Sequence, residues 1–156
     1  MARFNGTGIL VVAGAFALAS ASTHDVAGTA IGLLIAGAGA MELHGATLVL
    51  QGEVRGMNWM IGSQFYLMAV IFFYVGMGLH HIDIALFQRY VTLTDEQRLQ
   101  ITQAGLTVDQ FIRGFYVASY VIFGIVTLFY QSAMAFYYRR RRPAVAAALR
   151  EHDLLS

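Results

Sequence analysis

The chain has 156 residues, 58% of them hydrophobic and 12% charged, and a formal net charge of +1. One domain is the expectation at this length, and so small a charge, with no basic patch away from a membrane flank, excludes nucleic acid as an expected partner. The absence of cysteine excludes disulfides, thiol catalysis and thiolate-held metals, and because all ten basic residues are Arg, lysine Schiff-base chemistry is excluded too.

Four apolar runs, residues 6–22, 26–50, 57–79 and 111–138, approach or exceed the roughly 20 residues that cross a hydrocarbon core. The first also carries the marks of a signal peptide: Arg3, an apolar stretch and the small-residue sequence Ala19-Ser20-Ala21. In the second, Gly28, Gly32, Ala36 and Ala40 recur every four residues. Such a small-residue face lets helix backbones approach within a membrane or across protomers. The same run holds Glu42 and His44 and no other ionisable side chain.

Residues 80–110 form a connector between the third and fourth runs. Thr94 followed by Asp95, Glu96 and Gln97 has capping-box spacing and predicts a short helix from Asp95 to Ala104, stopped by Gly105. Thr107 and Gln110 repeat that spacing before the fourth run. Residues 82–91 mix apolar and polar side chains and could prolong the third helix. The fourth run carries an aromatic stripe through Tyr116, Tyr120, Phe123 and Tyr130, read as packing or lipid contact. Trp59, Tyr137 and Tyr138 fit an interfacial belt. Beyond Arg139–Arg142, residues 139–156 form a tail with an Ala-rich helix starting at Pro143.

The expected fold class is therefore an all-α integral membrane protein. It is a four-transmembrane-helix bundle with a short external amphipathic helix between helices three and four. The Arg run after the fourth span, with Arg3 and Arg55, places both termini in the cytoplasm by the positive-inside rule. Arg usage and compact loops point to a prokaryotic inner membrane.

An ionisable group at membrane depth is costly, about 2.5–3.5 kcal/mol for Asp on insertion scales, and is a functional candidate by default. At about 1.5 Å per helical residue, Glu42 lies roughly 12 Å and His44 roughly 9 Å from the inner boundary. Gln64 and Gln131, flanked by Ser63 and Ser132, fall at similar depth. The layer Glu42, His44, Gln64, Gln131 and Ser63 is either hydrogen-bond glue between helices or the lining of a path for protons or cations. Glu42 and His44 are two residues apart, so they point to different sides of their helix.

A second group, His80, His81 and Asp83, has the donor types for a divalent metal. Adjacent histidines cannot both bind one ion from a regular helix, and no HExxH spacing occurs. No other cofactor is expected. No Ser-His-Asp grouping or phosphate-binding glycine loop is present, so an enzyme is the weaker expectation. The functional expectation is a small homo-oligomeric channel or transport protein in the lipid bilayer, conducting through the layer around Glu42. The alternative is a non-conducting accessory subunit bound to a membrane protein partner.

Overall fold

The computed structural model describes residues 2–22, 24–80 and 93–155. Over them the regular structure is all helical: α1 (Ala2–Ser22), α2 (Val26–Leu50), α3 (Gly56–His80), α4 (Asp95–Gln103) and α5 (Val108–Leu155). Three helices are long and apolar enough to cross a membrane: Val26–Leu50, Gly56–His80 and the stretch Val108–Glu151. That suggests a membrane-embedded protein. The apolar stretch of the first helix, Gly6–Ser22, is shorter, so among the described residues three helices, and not the expected four, are long and apolar enough to cross.

Residues 1–71 and 127–156 form one compact unit, and residues 72–126 form another. In the first unit α1 folds back on α2 through a tight turn. His24 adopts a left-handed conformation (φ 57°) there, and the Asp25 carboxylate caps α2 by accepting from the Gly28 amide at 2.9 Å. Glycine brings the two backbones together. A Cβ on Gly32 would stand 2.8–2.9 Å from Ala17, and one on Gly39 would stand 2.8 Å from the Leu10 nitrogen and 2.9 Å from the Gly6 oxygen.

The seam does not follow the four-residue spacing seen in the sequence. Gly32, Gly39, Glu42 and Ala46 are buried on the interior side of α2, whereas Gly28 and Ala36 are half-buried and Ala40 exposed. A period of four advances 400° per step and drifts 40° around a 3.6-residue helix each time. Alternating steps of four and three hold one side.

From α2 the chain enters α3 through a short turn in which Arg55 pairs with Glu53. Gly45 and Gly56 meet backbone to backbone at the start of α3. The lower part of α5 joins this unit through Thr127, Gln131, Ala135 and Tyr138, all buried on one side. Tyr138 packs with Met57 and Met60, and Val49, Ile61, Met134 and Val145 close around them. Val145 lies beyond Pro143, and α5 runs through that proline as one helix of 48 residues. The separate tail helix expected from Pro143 onward is thus the continuation of α5. A proline removes one backbone donor from a helix interior, and here that does not end the helix.

In the second unit α4 begins at Thr94. Its hydroxyl accepts from the Gln97 amide, and the Gln97 side chain accepts from the Thr94 amide at 2.9 Å, the reciprocal capping box. Gly105 (φ 77°) turns the chain after it. Thr107 and Gln110 repeat the arrangement at the start of α5. In this unit Tyr116 and Tyr120 of the aromatic stripe pack against α3, whereas Phe123 is exposed. The Tyr116 hydroxyl donates to the Gly78 carbonyl at 3.2 Å, and the Tyr120 hydroxyl donates to that of Tyr74 at 3.2 Å. Gly78 leaves room for the Tyr120 ring.

Candidate functional site

Glu42 projects from the interior side of α2 and is 0% exposed. Gly6 of α1 lies against its stem, where a larger residue would meet the Glu42 Cβ. The Tyr138 hydroxyl, from α5, donates to Glu42 Oε1 at 2.5 Å. The Gln64 side-chain amide, from α3, donates to Glu42 Oε2 at 3.3 Å and to Ser63 Oγ at 3.2 Å. Ser63 in turn donates to the Met60 carbonyl at 2.8 Å. Each side-chain oxygen of Glu42 thus meets a donor, the nearer at 2.5 Å and the other at 3.3 Å.

Of the residues expected in the polar layer, the structure joins Glu42, Gln64 and Ser63 directly. Gln131 is also buried, on the side of α5 that carries Tyr138 two turns later, but no hydrogen bond links it to Glu42. Among the described residues two buried side-chain oxygens have no donor: Gln64 Oε1 and Gln131 Oε1. A buried acceptor left without a donor costs about 1–3 kcal/mol.

His44 stands apart. It is exposed on the opposite side of α2 and meets the Trp59 ring edge-on, with centroids 5.0 Å apart. Two residues along a helix are 200° apart, which is why Glu42 goes inward when His44 goes outward.

Tyr138 is the partner that sequence reasoning missed. It precedes Arg139 and looks like a belt residue, and helical side chains lean toward the N-terminus of their helix. The phenol therefore reaches back along α5, away from the Arg run, to the carboxylate. Its three-residue and four-residue spacing from Ala135, Gln131 and Thr127 was the available signal.

The second expected cluster is not tested. His81 and Asp83 lie outside the described residues, and His80 is exposed at the end of α3. Among the described residues no group of three or more His, Asp or Glu is placed to hold a metal ion.

No family model, curated protein or solved structure matches the chain.

Proposed function

We propose that the chain is a small membrane channel or transport protein that moves protons or cations by way of Glu42. It crosses a prokaryotic inner membrane four times with both termini in the cytoplasm, and works as a homo-oligomer. The supporting observation is a carboxylate buried to 0% exposure in a membrane-length helix and held by donors from two other helices. Glue alone needs no ionisable group, since an amide serves as well; retention of a carboxyl at this depth points to ion handling. The free oxygens of Gln64 and Gln131 fit the same role, because amide carbonyls replace part of a cation's hydration shell. Four helices have a core filled by side chains, so a continuous path calls for several copies. The 21 residues of α1 reach about 31 Å as a helix, enough to serve as the fourth crossing. With four crossings, Arg3, Arg55 and Arg139–Arg142 fall on one side.

The test is ion flux in vesicles reconstituted with the full chain. Glu42→Gln should abolish flux at unchanged incorporation. Flux that survives both Glu42→Gln and Glu42→Ala would end the proposal. A second reading, a non-conducting subunit of a larger complex, draws on a different observation: each Glu42 oxygen already has a donor, so the cluster can act as a clasp. On that reading the solubilised chain brings a partner with it, and Glu42→Gln weakens the assembly.

A further inference from the structure

We infer that the outward side of α5 holds a phospholipid of net negative charge, with its phosphate at Arg140 and Arg141 and an acyl chain along Phe136, Ala133 and Phe129. The inference needs the apolar part of α5 to lie in a bilayer and draws nothing from Glu42 or from transport.

The apolar run of α5 ends at Tyr138, and Arg139–Arg142 follow at once, so the guanidinium groups stand where hydrocarbon gives way to headgroups. They are carried on a helix and not on a loose tail. α5 continues through Pro143, and Val145 packs against the Tyr138 cluster, which fixes the turn between them. All four arginines are exposed, and among the described residues none of them is in an ion pair.

Helical geometry selects two of the four. Tyr138 marks the buried side of α5, and Arg140 is turned about 200° from it. Steps of four, three and four keep Phe129, Ala133, Phe136 and Arg140 on one outward stripe. All four are exposed, Phe129 by 71% and Phe136 by 66%. From Phe129 to Arg140 the helix rises about 16 Å, close to half of a hydrocarbon core. One acyl chain therefore matches the apolar part of the stripe when its headgroup is level with Arg140. The neighbouring Arg141 lies over the Tyr137 ring, with its guanidinium carbon 5.6 Å from the centroid. The ring offers no oxygen acceptor there, so the guanidinium donors remain for a phosphate.

Charge selects the headgroup. Adjacent guanidinium groups can share one phosphate through paired N–H donors. A headgroup that also carries an ammonium would bring that cation among four unpaired arginines, whereas a glycerol headgroup brings none.

Quenching by brominated lipid tests this in vesicles of equal phosphatidylglycerol and phosphatidylcholine containing the full chain. Trp59→Phe removes the native indole, and Phe136→Trp places a reporter on the stripe. Brominating the phosphatidylglycerol chains should quench that reporter about twofold or more beyond brominating the phosphatidylcholine chains. Leu33→Trp, at an exposed position near the start of α2, should show no preference. Adding Arg140→Gln and Arg141→Gln should equalise the two lipids at Phe136→Trp. Equal quenching with the arginines intact overturns the inference, and that arm stands even if the arginine variant does not insert. So would a preference that is as large at Leu33→Trp, or one that survives loss of both arginines. Loss of the preference in inorganic phosphate, against chloride at the same ionic strength, would assign the arginines to a free anion and would overturn it too.

Discussion

Removing the Glu42 carboxyl in two ways separates its structural from its ionisable role. Glu42→Ala leaves the Tyr138 hydroxyl and the Gln64 amide without the acceptor they now share. Each buried donor left unpaired costs about 1–3 kcal/mol in soluble proteins, whereas hydrogen bonds measured within membranes average about 0.6 kcal/mol. Two bonds therefore bound the loss between about 1 and about 6 kcal/mol.

Glu42→Gln differs. Its carbonyl still accepts from Tyr138. Its new amide can donate to Gln64 Oε1, which accepts nothing in the parent protein. The expected loss is about 1 kcal/mol or less, the net worth of one ordinary hydrogen bond. Reversible unfolding in bicelles, followed by circular dichroism as the fraction of sodium dodecyl sulfate rises, measures both. The Ala variant should fall at least about 1 kcal/mol below the Gln variant. Equal stabilities, or a Gln variant weaker than the Ala variant, would refute the hydrogen-bonded clasp.

Three further outcomes are expected. Tyr138→Phe keeps the ring between Met57 and Met60 but strips Glu42 Oε1 of its donor, so it should cost about 1–3 kcal/mol in the same assay, with the exposed Tyr137→Phe close to neutral. Gly39→Val drives side-chain atoms into the α1 backbone and should cost about 1–3 kcal/mol or more, whereas Gly8→Ala, with nothing within 4 Å of the added carbon, should be tolerated; thermal melting of purified protein distinguishes them. Thr94→Ala removes the capping box of α4 and should speed amide exchange in its first turn by an amount equivalent to about 1 kcal/mol, leaving α2 protected.

Much of the helical architecture was legible because apolar length and cap chemistry are local. The Thr94 and Thr107 boxes and the Gly105 stop follow from spacing alone. The short first span was the weakest by length, and in the structure its apolar stretch is shorter than those of the three long helices. Depth bookkeeping brought Glu42, Gln64 and Ser63 together, since equal rise from two helix ends connected by a short turn sets equal height.

Direction around the helix was less legible than height. The two-residue offset did separate His44 from Glu42, but Ala36 and Ala40 matched a period of four that a 3.6-residue helix does not keep. Tyr138 was hidden by the Arg run after it, which made a buried donor resemble an interfacial ring. The end of α5 was obscured by the same run and by Pro143, because the packing of Val145 on the Tyr138 cluster is a tertiary contact.

Whether the purified chain conducts at all is the most direct measurement of the central claim. Vesicles containing only the wild-type protein, loaded with a pH-sensitive dye and then examined with sodium and potassium gradients in turn, should dissipate at least one imposed gradient far faster than protein-free vesicles. Vesicles that remain as tight as the protein-free control for protons and both cations would contradict the account.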